Sequence, residues 1–188
     1  MRELVYYVAV SLDGYIAGPD GQFDAFLMEG DHMDGINERF ADTIPTDYAA
    51  ARGIDQSTGM FDTVLMGAGT YAAGLPEVTS PYRHLDQYVF THRRRDPVDG
   101  VTFTDRDPVE VVRELKQIEG KDIWLCGGGN LATQLAEEID RFVLKRQPVM
   151  FGSGIPLMAP GRYAPRRFRR VTGHDFDTGV SIVEYAAT

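Results

Sequence analysis

Apolar residues in this chain come mostly in short runs bounded by glycine, proline or aspartate, the pattern of strands buried on both faces. The first run, Leu4–Ser11, is rich in β-branched and aromatic residues and meets the turn signal Asp13-Gly14. Runs of the same kind recur at Asp62–Met66, Gln87–Phe90, Val101–Phe103, Ile123–Cys126, Phe142–Leu144 and Pro148–Phe151. Between Gly18 and Gly59 the rhythm is looser. Ile36–Ala41 and Tyr48–Ala51 read there as short helices on either side of Pro45. Helical spacing is clearest after Asp107. That residue can cap, Pro108 suits the first helical position, and Glu110 completes a capping-box arrangement. Val111, Leu115 and Ile118 then mark an apolar stripe, and Leu131, Leu135 and Ile139 predict the inner face of the next helix. At the end, Phe168–His174 and Val180–Tyr185 flank Asp177-Thr178-Gly179, a hairpin signal. Strands separated by helices and closed by an antiparallel hairpin predict an α/β fold with a mixed sheet. No repeat or linker divides the chain, so a single domain over 1–188 is expected.

Twice a predicted strand breaks into glycines and continues as a helix. Val64-Leu65-Met66 runs into Gly67-Ala68-Gly69-Thr70, and Trp124-Leu125-Cys126 into Gly127-Gly128-Gly129-Asn130-Leu131. A helix start has backbone N–H groups without intrahelical partners and carries the positive end of the dipole. Glycine lets a phosphate approach those donors. A tight strand-to-helix connection accounts for either turn alone. The pair suits the two phosphates of one dinucleotide. A Rossmann arrangement is disfavoured, because the first strand ends in Ser11-Leu12-Asp13 rather than in a glycine turn.

Composition narrows the partners. The formal charge of −9 argues against a nucleic-acid coat, and no apolar run approaches the roughly 18 residues a membrane span needs. Cys126 is the only cysteine, so no intrachain disulfide can form, which fits a reducing compartment and a cytoplasmic location. Its place in an apolar strand reads as a small buried group. His32, His84, His92 and His174 show no ligand spacing, and no metal site is expected. Asp13 and Asp24 are the candidate proton donors, with Asp13 ahead; the alternative for Asp13 is a turn carboxylate that bonds backbone. The run Arg166-Arg167-Phe168-Arg169-Arg170 reads as a charged edge strand that guards against aggregation.

Four segments in order give the chain a family resemblance: Ser11-Leu12-Asp13-Gly14-Tyr15-Ile16-Ala17, Val64 through Tyr71, Gly127 through Leu131, and Pro148 through Gly152-Ser153-Gly154-Ile155-Pro156-Leu157. From about Val5 to Tyr185 it resembles the dihydrofolate reductase-like superfamily, in the branch related to the riboflavin-biosynthesis pyrimidine reductase. The resemblance implies a three-layer fold: about eight mostly parallel strands, helices on both faces and a C-terminal antiparallel hairpin. It implies NADPH as cofactor, with Ala17 near the nicotinamide. Gly67, Ala68, Gly69 and Thr70 would form one phosphate turn, and Gly127, Gly128, Gly129, Asn130 and Leu131 the other. Thr91, Arg93 and Arg94 would meet the adenosine ribose and its 2′-phosphate, and the substrate would lie near Asp13 and Tyr15. Ala68 replaces a basic residue common in the superfamily, and Cys126 a glutamate common in the pyrimidine reductases. The implied activity is therefore NADPH-dependent reduction of a pterin- or pyrimidine-like heterocycle. A non-enzymatic NADPH-binding or sensor protein on the same fold is the alternative. A homodimer joined through C-terminal strands is a further expectation.

Overall fold

In the computed structural model, which describes residues 1–188, β1 (Leu4–Val10) and β2 (Tyr15–Ala17) precede α1 (Asp31–Arg39), a 3-10 turn at Ala41–Thr43 and α2 (Thr46–Ala51). β3 (Phe61–Gly67) runs directly into α3 (Ala68–Ala72), and β4 (Asp86–Phe90) and β5 (Val101–Thr104) follow. α4 (Pro108–Gln117) leads to β6 (Asp122–Gly127), α5 (Gly129–Gln134) and β7 (Arg141–Arg146). β8 (Ile155–Pro156), β9 (Phe168–Asp175) and β10 (Ser181–Ala187) complete the chain.

One sheet of 8 strands has the order β5-β4-β3-β6-β1-β7-β10-β9. From β5 to β7 all neighbours are parallel, and β10 lies antiparallel between β7 and β9. The chain therefore has the mixed, mostly parallel α/β fold that the resemblance implies. β2 and β8 pair separately as a small antiparallel ribbon.

Alternation along the strands divides the core into two layers. On the front face Val5, Tyr7, Val64, Met66, Trp124 and Val143 pack under Ile36 and Phe40, and under Ala49 of α2. On the back face Leu4, Tyr6, Leu65, Ile123 and Leu125 pack under Val111, Val112 and Leu115 of α4 and Leu131 and Ala132 of α5. Both faces of the central strands are covered, which is why they read as unbroken apolar runs. Each fully buried side chain of this kind stabilises the fold by about 1.5–3 kcal/mol.

Several sequence expectations need correction. α1 starts at Asp31, earlier than the expected Ile36, with Asp31 and Asp34 in its first turn, where carboxylates favour the helix dipole. Ile118 lies past the end of α4 with extended backbone and is 58% exposed, so Val112 rather than Ile118 completes the buried stripe. Pro148–Phe151 forms no strand. Leu135 and Ile139 are buried as expected but lie past the end of α5, Leu135 in the turn that follows it and Ile139 in irregular backbone before β7. Of the basic run, Phe168, Arg169 and Arg170 open β9, the outer strand of the sheet, whose residues are mostly exposed, and Arg166 and Arg167 precede it.

Candidate functional site

β3, β6 and β1 are neighbours and run parallel, so their carboxyl ends open on one edge, where open α/β sheets bind ligands. Gly67 ends β3 and stands at the start of α3; Gly127 ends β6 and Gly128 stands at the start of α5. Neither helix start has a side-chain cap. α4 differs, since the Asp107 carboxylate accepts from Val109 N at 2.8 Å and Glu110 N at 3.2 Å. The first N–H groups of α3 and α5 thus remain available to an outside acceptor.

The two glycine turns abut. A Cβ on Gly67 would stand 3.5 Å from Gly128 N and 3.6 Å from Gly127 O, and one on Gly128 would stand 3.6 Å from Thr70 Oγ1. Gly127 has φ 133°, a left-handed conformation that favours glycine, and the Gly127–Gly128 peptide is cis. Gly69 is exposed, and a Cβ there would meet no heavy atom within 4 Å. The β2–β8 ribbon closes the other side. Ala17 pairs with Ile155, Ala159 N donates to Gly129 O at 3.1 Å, and Thr133 Oγ1 donates to Ala159 O at 3.0 Å. Ile16 also reaches this seam, its Cδ1 lying 3.7 Å from where a Gly127 Cβ would be. These backbone approaches form a seam between the two glycine turns and the ribbon.

The other expected contacts divide. Thr91 follows β4 on the same edge; its N–H donates to Thr104 O at 2.9 Å and its Oγ1 accepts from Arg93 N at 3.1 Å. Arg93 and Arg94 are exposed and form no ion pair, so their guanidinium groups are free. Asn130 is exposed, and its Oδ1 accepts from Gln134 Nε2 at 3.3 Å. Leu131 is buried in the back core, which leaves only its backbone for a ligand.

Asp13 lies at the carboxyl edge but is fully engaged. Ser11 Oγ donates to its Oδ1 at 2.6 Å, Gly152 N donates to Oδ2 at 2.7 Å, and Phe151 N reaches both oxygens at 3.1 and 3.2 Å. The Ser11 hydroxyl above all, with these backbone donors, lowers its pKa to about 2. A carboxylate so stabilised is ionised near neutral pH rather than holding a proton. Its observed contacts instead anchor the 148–154 loop to the end of β1, the turn-carboxylate alternative.

Beneath the edge, the front face carries an ionisable group that sequence reasoning missed. Lys145 shares its face of β7 with the buried Val143, two residues earlier, and its Nζ lies 4.4 Å from the Tyr7 ring centroid. Burial lowers its pKa to about 8. Burial likewise pushes the neighbouring Cys126 thiol up to about 12, and the phenol of Tyr82, beside that thiol, well above its ordinary value. The sequence signal was one basic residue at an inward position of an apolar strand. Two surface hollows lie elsewhere: one of 280 Å³ by Asp47, Glu77 and Arg83, and one of 630 Å³ between α1 and β9. Neither includes a glycine of the two turns.

An α/β sheet with paired glycine turns on its carboxyl edge marks a dihydrofolate reductase-like domain, and comparison with known proteins narrows the class. Residues 2–180 match the model of the RibD C-terminal domain, and the chain belongs to that family. Among its relatives, the uncharacterized YwjB of Bacillus subtilis (strain 168) is 35% identical over 161 residues, covering 83% of this chain and 82% of that protein. The uncharacterized YyaP of the same strain is 26% identical, covering 98% of this chain and 94% of that protein. A solved structure from Shewanella sp. PV-4, provisionally named a riboflavin biosynthesis protein, superposes with TM-score 0.71 at 20% identity, covering 100% of this chain and 99% of the other. A diaminohydroxyphosphoribosylaminopyrimidine deaminase/5-amino-6-(5-phosphoribosylamino)uracil reductase from Thermotoga maritima superposes with TM-score 0.66 at 17% identity. All of this chain is covered in that match, but only 57% of the Thermotoga protein. At such identities the two structures establish the fold.

Proposed function

We propose that this protein is an NADPH-dependent reductase of a pterin- or pyrimidine-like heterocycle. The observation that carries the reading is the seam where two uncapped glycine turns, at Gly67 and Gly128, meet on the carboxyl edge of adjacent strands. Membership of the RibD C-terminal family supports the reductase class. Gly67, Ala68, Gly69 and Thr70 would hold one phosphate; Gly127, Gly128, Gly129, Asn130 and Leu131, through backbone, the other. Ala17, on the ribbon beside the second turn, would lie against the nicotinamide. Thr91, Arg93 and Arg94 would receive the adenosine end, where free guanidinium groups suit a 2′-phosphate. When bound, the reduced nicotinamide supplies a hydride, and the protein contributes position and a sheltered site. Asp13 acts as a positioning residue by tying the 148–154 loop to β1.

The test is NADPH binding by fluorescence titration, followed by NADPH oxidation with a panel of pterins, pyrimidines and quinones. Saturable binding and turnover with a pterin or pyrimidine are expected. Tight binding with no turnover on any acceptor would favour the sensor alternative, and absence of binding would refute both readings.

A further inference from the structure

Lys145 stands on β7 in register with Ala9 of β1 and Ile182 of β10, one residue short of the carboxyl end of its strand. Across β1, Cys126 on β6 immediately precedes the second glycine turn and lies within electrostatic reach of the Lys145 ammonium. Lys145 is therefore a cation near the carboxyl end of β7, on the face of the sheet that also carries Cys126. It is partly buried, and no carboxylate lies within ion-pairing distance. Of the buried carboxylates over this face, Glu184 stands opposite Val143 and is engaged by Arg39 and Arg141, and Asp42, on the far side of Tyr7, accepts from Phe61 N at 2.6 Å. The remaining neighbours are the Tyr7 ring, the Cys126 thiol and, beyond it, the Tyr82 phenol, and burial keeps all three uncharged.

Partial burial of an ammonium without a counter-ion carries a desolvation cost. Here that cost appears as the lowered Lys145 pKa. The Tyr7 ring face offsets part of it, since an aromatic quadrupole attracts a cation. Packing does not call for lysine at this position, as the flanking Ile182 and Val143 fill the same face with apolar groups. An anion arriving with a ligand would supply the missing partner.

We propose that Lys145 seats an acidic group of the substrate, a carboxylate or an ionisable ring oxygen, so that the acceptor of this reductase is an anionic heterocycle. The proposal rests on the reductase reading above and names its substrate class. It is tested on the full chain saturated with NADP⁺, by calorimetric titration with matched probes: pterin-6-carboxylate against pterin, and orotate against uracil. The carboxylated member of at least one pair should bind tighter by about 10- to 100-fold, as a charge-assisted bond implies. Lys145→Met should erase that preference while leaving NADP⁺ affinity unchanged, and Lys145→Arg should retain most of it. On the unsubstituted chain, the ¹³C-dimethyl signal of Lys145 should titrate at higher pH once the tighter probe is bound, a readout that does not depend on a variant folding. Equal affinities, no binding of either carboxylate, a preference that survives Lys145→Met, or an unmoved Lys145 titration would each overturn the proposal. Absence of NADP⁺ binding would overturn the reductase reading itself. NADP⁺ binding without a carboxylate preference would overturn this inference alone.

Discussion

The glycines Gly69 and Gly129 occupy similar places in the two turns, yet alanine should move stability in opposite directions. At Gly129 a Cβ would overlap the carbonyl oxygen of Pro156 and stand 3.4 Å from Ala159 N. Both contacts are backbone, so relief requires moving β8. β8 and the chain after it are fixed by Leu157 N donating to Gly14 O at 2.9 Å, Ala159 N to Gly129 O at 3.1 Å and Thr133 Oγ1 to Ala159 O at 3.0 Å. Overpacking against a fixed neighbour costs about 1–3 kcal/mol, and each neutral hydrogen bond lost adds about 1 kcal/mol. Gly129→Ala should therefore destabilise by about 2–4 kcal/mol. At Gly69 the Cβ meets nothing within 4 Å, and the residue lies within α3. There alanine removes unfolded-state freedom and favours the helix, a gain of about 0.4–1 kcal/mol. The assay is urea denaturation of both variants beside the parent, comparing midpoints at unchanged m-value. A Gly129→Ala protein as stable as the parent would refute the close packing of ribbon and turn. A destabilised Gly69→Ala would refute the open side of the first turn.

Glu184→Gln should destabilise by about 2–3 kcal/mol, because it leaves the half-exposed Arg39 without its carboxylate and the largely buried Arg141 with Glu3 alone; Arg39→Ala should cost less, and thermal unfolding ranks the two. Asp13 has a depressed folded pKa, so its contribution is present above its ordinary value of 3.8 and is lost as pH falls through about 2. Asp13→Asn should thus remove part of the acid-side loss of stability between those values, read from unfolding midpoints at stepped pH; an unchanged profile would contradict the anchoring role. Arg93→Ala should weaken NADPH by roughly 1.5–3 kcal/mol and leave NADH nearly unchanged. Fluorescence titration with both cofactors checks it, and equal affinity of the parent protein for the two would sink the 2′-phosphate assignment.

The central strands were legible because both of their faces are buried, which forces apolar residues at every position rather than at alternate ones. The ribbon was not. Tyr15–Ala17 and Ile155–Pro156 are too short for a periodic signal, and their pairing comes from residues far away in sequence. α1 was placed late because Asp31, Asp34 and Gly35 are poor helix formers, and tertiary burial of His32 and Ile36 holds its first turns. At the site, the glycine turns stand out in sequence because backbone approach demands glycine. Asp13 stood out as a candidate, but its true partners, Phe151 and Gly152, are contributed by a loop 138 and 139 residues away. Lys145 went unnoticed because a single lysine near a strand end ordinarily marks exposure, and only the covering layer turns it inward.

The place of β1 in the sheet has a consequence for synthesis. Leu4 pairs with Ile123, and Val5 with Arg141, so the earliest strand has both of its neighbours among much later residues. β3, β4 and β5 can pair with one another as they leave the ribosome; Leu-Val-Tyr-Tyr-Val-Ala-Val cannot find a partner until most of the chain has been made. Until then it is an apolar segment with unsatisfied edges, the kind that chaperones hold and that aggregates when it is not held. Nascent chains arrested before Asp122 should therefore be cut readily by protease within Leu4–Val10, and chains extended beyond Arg146 should be protected there.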